Sequence, residues 1–129
     1  MEKKIDYTID IVHNILDDLC AKIPSQLLAD LNGGIILHDE IKYHEKAVQD
    51  NILVLGSYHR FGVRRQINIY YKSIKRAYPL MTRLALEEKL EELLLHELRH
   101  HIEYKARVKD LIDEDKKLLE MLKETDGLI

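Results

Sequence analysis

The sequence predicts an α+β fold in which helices cover one small sheet. Apolar residues recur with helical spacing toward both ends of the chain, and three short segments rich in β-branched and aromatic residues lie between them. No internal repeat, linker or second domain is evident. We therefore expect a single domain spanning residues 1–129, with a three- or four-stranded sheet packed on a long helix and with N- and C-terminal helices.

The N-terminal part of the chain predicts an amphipathic helix. From Tyr7 to Ala21 the apolar residues follow helical spacing, and aspartates mark a solvent-facing side. Pro24 interrupts this pattern. Residues 25–31 can form one or two further turns before Asn32-Gly33-Gly34 stops them.

The middle of the chain predicts three strands. Ile35-Ile36-Leu37 is the first, and the polar interval from His38 to Asn51 predicts a loop with one helical turn around His44 to Ala47. Ile52 to Tyr58 is the second strand. Gln66 to Tyr71, the third, alternates polar and apolar residues, which predicts one covered face and one wetter face.

The last part of the chain predicts three helices. Lys72 to Ala77 forms a short one, and a long Leu-rich helix follows Thr82, a suitable N-cap. A separate final helix is expected to begin at Asp110 or Asp113 and to stop at Asp126-Gly127.

The long helix carries the motif HExxH as His96-Glu97-Leu98-Arg99-His100. At 3.6 residues per turn, the two histidines lie one turn apart on one face and can share a zinc ion, with Glu97 beside them as general base. Glu97 points into an arc of leucines, where an unpartnered carboxylate is costly to bury. The spacing predicts two apolar arcs on this helix, the first containing Leu86, Leu90, Leu93 and Leu94 and the second Leu84, Leu95, Leu98 and Ile102.

A hydrolytic zinc site uses three protein ligands and leaves a position for water. His96 and His100 supply two, and we rank Glu114 first as the third, because the predicted final helix could fold back over the site. The other candidates for this position are Asp113, Asp115 and Glu103. Acids in the first turn of a helix also favour its dipole, so these carboxylates have a structural interpretation as well.

Other residues near the motif have simpler interpretations. We expect His101 to be a packed histidine with one backbone hydrogen bond, and Tyr104 to lie in the core. His38, His44 and His59 come from the region that the fold should bring near the cleft. Each is expected at the surface, although one of them could stabilise an oxyanion.

Composition excludes several classes of function. The formal net charge is −3, from 20 basic and 23 acidic residues, so no global basic field favours nucleic acid. Arg60, Arg64 and Arg65 are interpreted as solvated loop charges. The only cysteine, Cys20, cannot form an internal disulfide. With no signal-like N-terminus and no apolar run of membrane-spanning length, a cytoplasmic protein without a membrane partner is expected.

The motif and the element order together resemble the small bacterial zincin-like metallopeptidases, or minimal zincins. The resemblance extends from the first helix through Asn32-Gly33-Gly34-Ile35, Leu55-Gly56-Ser57-Tyr58 and Ile67-Asn68-Ile69-Tyr70-Tyr71 to His96-Glu97-Leu98-Arg99-His100-His101. It implies a short sheet packed against the HExxH helix, with a metal in the cleft between them. Family members often continue as HExxHHxGxxD, whereas this chain has Glu103 and Ala106 at the glycine and aspartate positions.

These features favour a zinc-dependent peptidase with Glu97 as general base, acting on extended peptides that add alongside an exposed strand. The missing family aspartate favours a second hypothesis, a catalytically silent zincin-like module that binds a peptide or a partner protein. A third is a metal-dependent hydrolase of other substrates, because HExxH specifies the metal better than the bond cleaved. The sequence leaves the substrate and the oligomeric state open.

Overall fold

The computed structural model describes residues 3–46 and 52–126, with side chains described as far as Leu122. The elements, in chain order, are β1 Lys4–Ile5, α1 Ile9–Lys22, α2 Ser25–Leu28, β2 Gly34–His38, β3 Gly56–Phe61, β4 Arg64–Tyr70, α3 Tyr71–Ala77, β5 Met81–Thr82 and α4 Arg83–Asp126. The predicted α+β class is confirmed.

The main sheet has three strands in the order β2-β4-β3. The central strand β4 pairs in parallel with β2 and antiparallel with β3, so the sheet is mixed. A separate antiparallel pair joins β1 to β5 just before α4. Strand β3 is therefore an edge strand, and one side of its backbone has no partner in the main sheet.

One face of the sheet meets the core. Ile67 and Ile69 of β4 are fully buried on this face, against the leucines of α4 and the apolar side of α1. The first arc predicted for α4 is confirmed, with Leu90 0% exposed. Burial of the second arc is a wrong prediction for most of its residues, because Leu84, Leu95 and Ile102 are exposed and only Leu98 is buried. In a two-layer fold a helix buries one stripe, and the first arc occupies it.

The face of β4 that points away from the core is less exposed to solvent than predicted. Asn68 and Tyr70 are buried although they alternate with the core residues. Asn68 Oδ1 lies 2.7 Å from His38 Nε2 and accepts a hydrogen bond from Gln66 Nε2, and the His38 ring stacks on Tyr70 with centroids 5.1 Å apart. Because β4 is flanked by strands on both sides, neighbouring polar side chains cover this face as well.

The second strand lies later in the chain than predicted. The sequence predicts a strand from Ile52 to Tyr58, but pairing with β4 covers Gly56–Phe61, and Leu53 forms only an isolated bridge with Tyr43. The two-residue turn at Gly62, which has φ of 60°, joins β3 to β4 and sets their register. The helical turn expected around His44 is wrong for residues 44–46, which are not helical; Ala47 lies outside the described residues.

The helix boundaries that depend on local signals agree with the sequence. Thr8 caps α1 by accepting a hydrogen bond from the Ile11 backbone N–H at 3.3 Å. Thr82 caps α4 by accepting one from the Ala85 N–H at 3.1 Å.

The separate final helix is a wrong prediction. Helix α4 runs without interruption over 44 residues, a length of about 66 Å. The acidic segment at the predicted helix start contains no glycine or proline. The rest of α4 also lacks both residues, so no residue within it breaks the helix. Beyond the sheet, α4 exposes Leu111, Ile112, Leu118 and Leu119. Within the described part of the chain, each helix is too short or too polar to cross a bilayer.

Substitutions in the two apolar arcs of α4 should lower the free energy of unfolding by different amounts. Leu90→Ala removes a fully buried side chain and should lower the free energy of unfolding by about 3 kcal/mol, from lost burial and the cavity left behind. Leu95→Ala, at a position 46% exposed, should cost less than about 1 kcal/mol. Urea denaturation of both variants measures the difference, and equal losses would contradict this assignment of faces.

The buried Tyr7 hydroxyl makes the free energy of unfolding fall at alkaline pH. It donates to the Ile74 and Tyr78 carbonyl oxygens, and burial raises its pKa from 10.0 to about 12. The unfolded chain therefore releases this proton first. The stabilisation is complete below pH 10 and is lost as the pH rises towards about 12.

The free energy of unfolding, measured by denaturation across this pH range, should fall less steeply with pH in Tyr7→Phe than in the wild type. The partly exposed Tyr78→Phe is the matched control and should keep the wild-type slope. An unchanged slope in Tyr7→Phe would refute the assignment.

Candidate metal centre

The two motif histidines meet on the exposed side of α4. Their Nε2 atoms are 3.3 Å apart, and the rings are nearly perpendicular. Either imidazole can hydrogen bond to the other at this distance. The one-turn spacing of the motif predicted this arrangement, in which a ring nitrogen of one histidine faces a ring nitrogen of the other.

This separation fits a zinc ion. Two imidazole nitrogens bound to zinc at the usual 2.0–2.1 Å, with a tetrahedral angle between them, lie about 3.3 Å apart. His96 and His100 already have that spacing. Together with Glu97 they form a group whose ligand atoms lie within 4.8 Å of one another.

Glu97 lies on the buried side of the pair. It is 7% exposed, and its Oε1 is 3.9 Å from His96 Nε2. Burial raises the pKa of Glu97 above its ordinary range, against the opposing effect of His100 and His96. A carboxylate that is partly desolvated and close to the histidines is suited to accepting and releasing a proton.

A glycine in the edge strand lies close to both β4 and Glu97. A Cβ atom at Gly56 would make tight contacts with β4, 3.1 Å from the Asn68 carbonyl oxygen and 3.3 Å from Ile69 Cδ1, and would lie 3.7 Å from Glu97 Cγ, an ordinary van der Waals distance. Strand β3 and helix α4 therefore approach each other closely at the level of Glu97. An isolated glycine in a strand is a sequence signal for such an approach.

The third ligand ranked first, Glu114, lies far from the histidines. It is 14 residues beyond His100 on the same uninterrupted helix, about 21 Å along the axis. Asp113 and Asp115 are similarly distant, and all three are exposed. The prediction required a second helix that folds back, and because α4 is continuous, none of these acids reaches the pair within this chain.

Glu103 remains near the site but is already engaged. It lies one turn beyond His100, and Arg99 Nε donates to its Oε1 at 3.1 Å. Helix α4 also continues through Ala106, whose side chain offers no ligand atom. Among the described side chains, the metal-capable group thus consists of His96, Glu97 and His100.

His101 is a packed histidine, as predicted. It is 0% exposed, and its Nε2 donates to the Ala29 carbonyl oxygen at 2.8 Å. With the proton on Nε2, Nδ1 accepts from the Tyr58 hydroxyl at 2.7 Å. This chain of contacts fixes the Tyr58 side chain between the strand and the helix, a pairing that no spacing in the sequence signals.

The other histidines lie away from the site. His38 is directly opposite Tyr70, and His59 is directly opposite Gln66, on the sheet face turned away from α4. His44 is exposed in a loop. The prediction that the fold brings them to the cleft is wrong, because strand alternation places these two strand histidines on the outer face.

A cleft of about 360 Å³ opens between α4 and the edge strand. Tyr104 is half-buried in its wall and not in the core as predicted, because the charged side chains of Arg60 and Arg65 lie over its ring. The cleft is lined by Ser57, Tyr58, Arg60, Glu97, His100, Glu103, Tyr104 and Arg107.

Comparison with known proteins finds a protein of similar fold but indicates no activity. No family model and no curated protein matches the chain. Among solved structures, the chain is similar to a conserved hypothetical protein from T. thermophilus, with a TM-score of 0.67 and 25% sequence identity. The match covers 77% of this chain and 97% of the other. Fold and site together define an α+β protein with a histidine pair and a carboxylate able to hold a metal ion.

The site predicts which variants alter zinc affinity. His96→Ala and His100→Ala each remove a direct ligand and should weaken zinc binding by about 100-fold or more, since even outer partners of a ligand contribute 10–100-fold. Glu114→Gln should bind zinc like the wild type. Titration of chelator-treated protein against a chromophoric zinc indicator measures these affinities, and a large loss in Glu114→Gln would overturn the site described.

Proposed function

We propose that this chain is a zinc-dependent peptidase of the minimal zincin type. The observation that carries the proposal is the His96–His100 nitrogen pair, with its zinc-compatible separation, beside the buried Glu97 in an open cleft. The HExxH motif and the order of elements support it.

Each residue of the motif has a distinct task. His96 and His100 would hold the metal ion. Zinc bound there would supply Lewis-acid chemistry, polarising a carbonyl oxygen and lowering the pKa of water towards neutrality. Glu97 accepts the proton of the attacking water on its carboxylate and then delivers it to the leaving amine.

The edge strand supports an extended peptide as the substrate. Strand β3 borders the cleft, and among the described residues one side of its backbone has no sheet partner. A peptide can pair with this edge through main-chain hydrogen bonds and so cross the metal site. At Gly56 the absent side chain leaves the backbone close to Glu97.

A second function, a catalytically silent binding module, is favoured by one observation. Among the described side chains, the metal-capable group provides only two histidines besides Glu97. If Glu97 serves as the general base, two protein ligands hold the metal weakly. The same cleft could then bind peptides without cleaving them.

Glu97→Gln tests the peptidase. Loss of the general base should lower kcat/KM for a quenched-fluorescence peptide library by at least about 100-fold, while zinc binding is retained. Glu114→Gln is the matched control, with an exposed carboxylate removed about 21 Å along α4 from His100, and should retain most activity. Cleavage at the wild-type rate by Glu97→Gln would refute the mechanism, and saturable binding without cleavage by the wild type would support the silent module.

A further inference from the structure

We propose that the cleft selects peptides that carry acidic side chains, and that Arg60 and Arg107, which line it, make this selection. The inference rests on the proposed function, because it assigns the substrate class of that same site. The sequence alone favours an interpretation of Arg60 and Arg65 as solvated loop charges, whereas the fold places Arg60 in the wall of the cleft and Arg65 directly opposite it on β4.

Two of these arginines lie against the ring of Tyr104, and the third lines the cleft beside it. The Arg60 guanidinium carbon is 4.4 Å from the centroid of the Tyr104 ring, and that of Arg65 is 5.5 Å away. Arg60 and Arg65 are directly opposite each other on β3 and β4, so their side chains leave the same face of the sheet. Arg107, on the next turn of α4, lines the same cleft. The ring provides a common surface that orients the cations.

The charges of these arginines are not neutralised within the described part of the chain. Arg60 and Arg107 form no ion pair there, and Arg65 donates only to the uncharged Asp30 carbonyl oxygen, at 3.3 Å. Two acidic residues near these arginines are already paired, Glu103 with Arg99 and Asp30 with Lys105. This end of the cleft is therefore positive although the whole chain has a net charge of −3.

Carboxylates are the chemistry that such a cluster recognises. A guanidinium group binds a carboxylate through two parallel hydrogen bonds, and an exposed arginine without a partner has these donors free. Phosphates would suit the same donors. We favour an acidic peptide because the cluster lies at the edge strand, where a peptide can pair through its main chain.

The position of the cluster predicts where the acidic residue stands in the substrate. Gly56 is next to Glu97, and Arg60 is four residues farther along β3, about 13 Å away. Arg107 is about 15 Å beyond Glu97 along α4. An extended peptide advances about 3.3 Å per residue, so the selected side chain lies about four residues from the scissile bond.

The test measures binding apart from cleavage. Zinc-loaded Glu97→Gln protein is titrated with fluorescein-labelled peptides of alanine and serine that carry either a pair of glutamates or a pair of glutamines, and anisotropy is recorded. We expect glutamate peptides to bind about 10-fold more tightly, with the preference falling as salt is raised. Adding Arg60→Gln with Arg107→Gln should abolish the preference.

Two further variants separate charge recognition from damage to the fold. Charge reversal, Arg60→Glu with Arg107→Glu, should make a lysine peptide the preferred ligand, a gain that a misfolded protein cannot show. Arg76→Gln removes an exposed arginine on α3 outside the cleft and should leave the glutamate preference unchanged.

The outcomes distinguish this inference from the proposed function. Cleavage of peptides by the wild type with no charge preference would overturn the arginine selection and leave the peptidase standing. A glutamate preference in binding without cleavage would support the selection and count against the peptidase. Tighter binding of a single-stranded oligonucleotide than of any glutamate peptide would overturn the assignment to acidic peptides.

Discussion

The structure depends on one apolar stripe along α4 packed against the sheet. Leu86, Leu90, Leu94 and Leu98 are all buried there, and each contributes about 2 kcal/mol by its removal from water. Glu97 lies on the same side of the helix. The periodicity that forms the core therefore also places Glu97 on the side of α4 that faces β3, where Gly56 is its neighbour. Core packing and site chemistry are set by the same helical face.

The cleft follows from how this helix and the edge strand diverge. Near Glu97 the two elements are close, and His101 bonded to Tyr58 holds them together. Farther along, charged side chains lie over the Tyr104 ring, so Tyr104 and Arg107 line a cleft and not a core. The histidine pair, Glu97 and Arg107 thus lie along one side of α4, and Arg60 faces them from β3 across the cleft.

Local signals in the sequence are enough for much of this arrangement. Apolar periodicity predicts the first helix and the leucine stripe, Thr82 predicts the start of α4, and the HExxH spacing predicts that two nitrogens meet. Each of these depends on residues within a few turns of one another. The buried position of Glu97 also follows from its place among the leucines.

The wrong predictions depend on interactions that are distant in sequence. Acids that favour a helix N-terminus predict a final helix, but the same residues are tolerated inside a helix, and without the break Glu114 cannot be a ligand. The register of β3 is set by its pairing with β4, and the side on which His38 and His59 emerge is set by the pairing of their strands. The Tyr58–His101 bond joins residues 43 apart in the chain, which no local pattern indicates.

The measurement that tests the metal centre most directly is anomalous diffraction from crystals grown with zinc, recorded on both sides of the zinc absorption edge. The account predicts one peak at about 2.0–2.1 Å from both His96 Nε2 and His100 Nε2, with the remaining ligands visible around it. Zinc bound elsewhere while this pair stays hydrogen-bonded, or no zinc in the crystal at all, would contradict it.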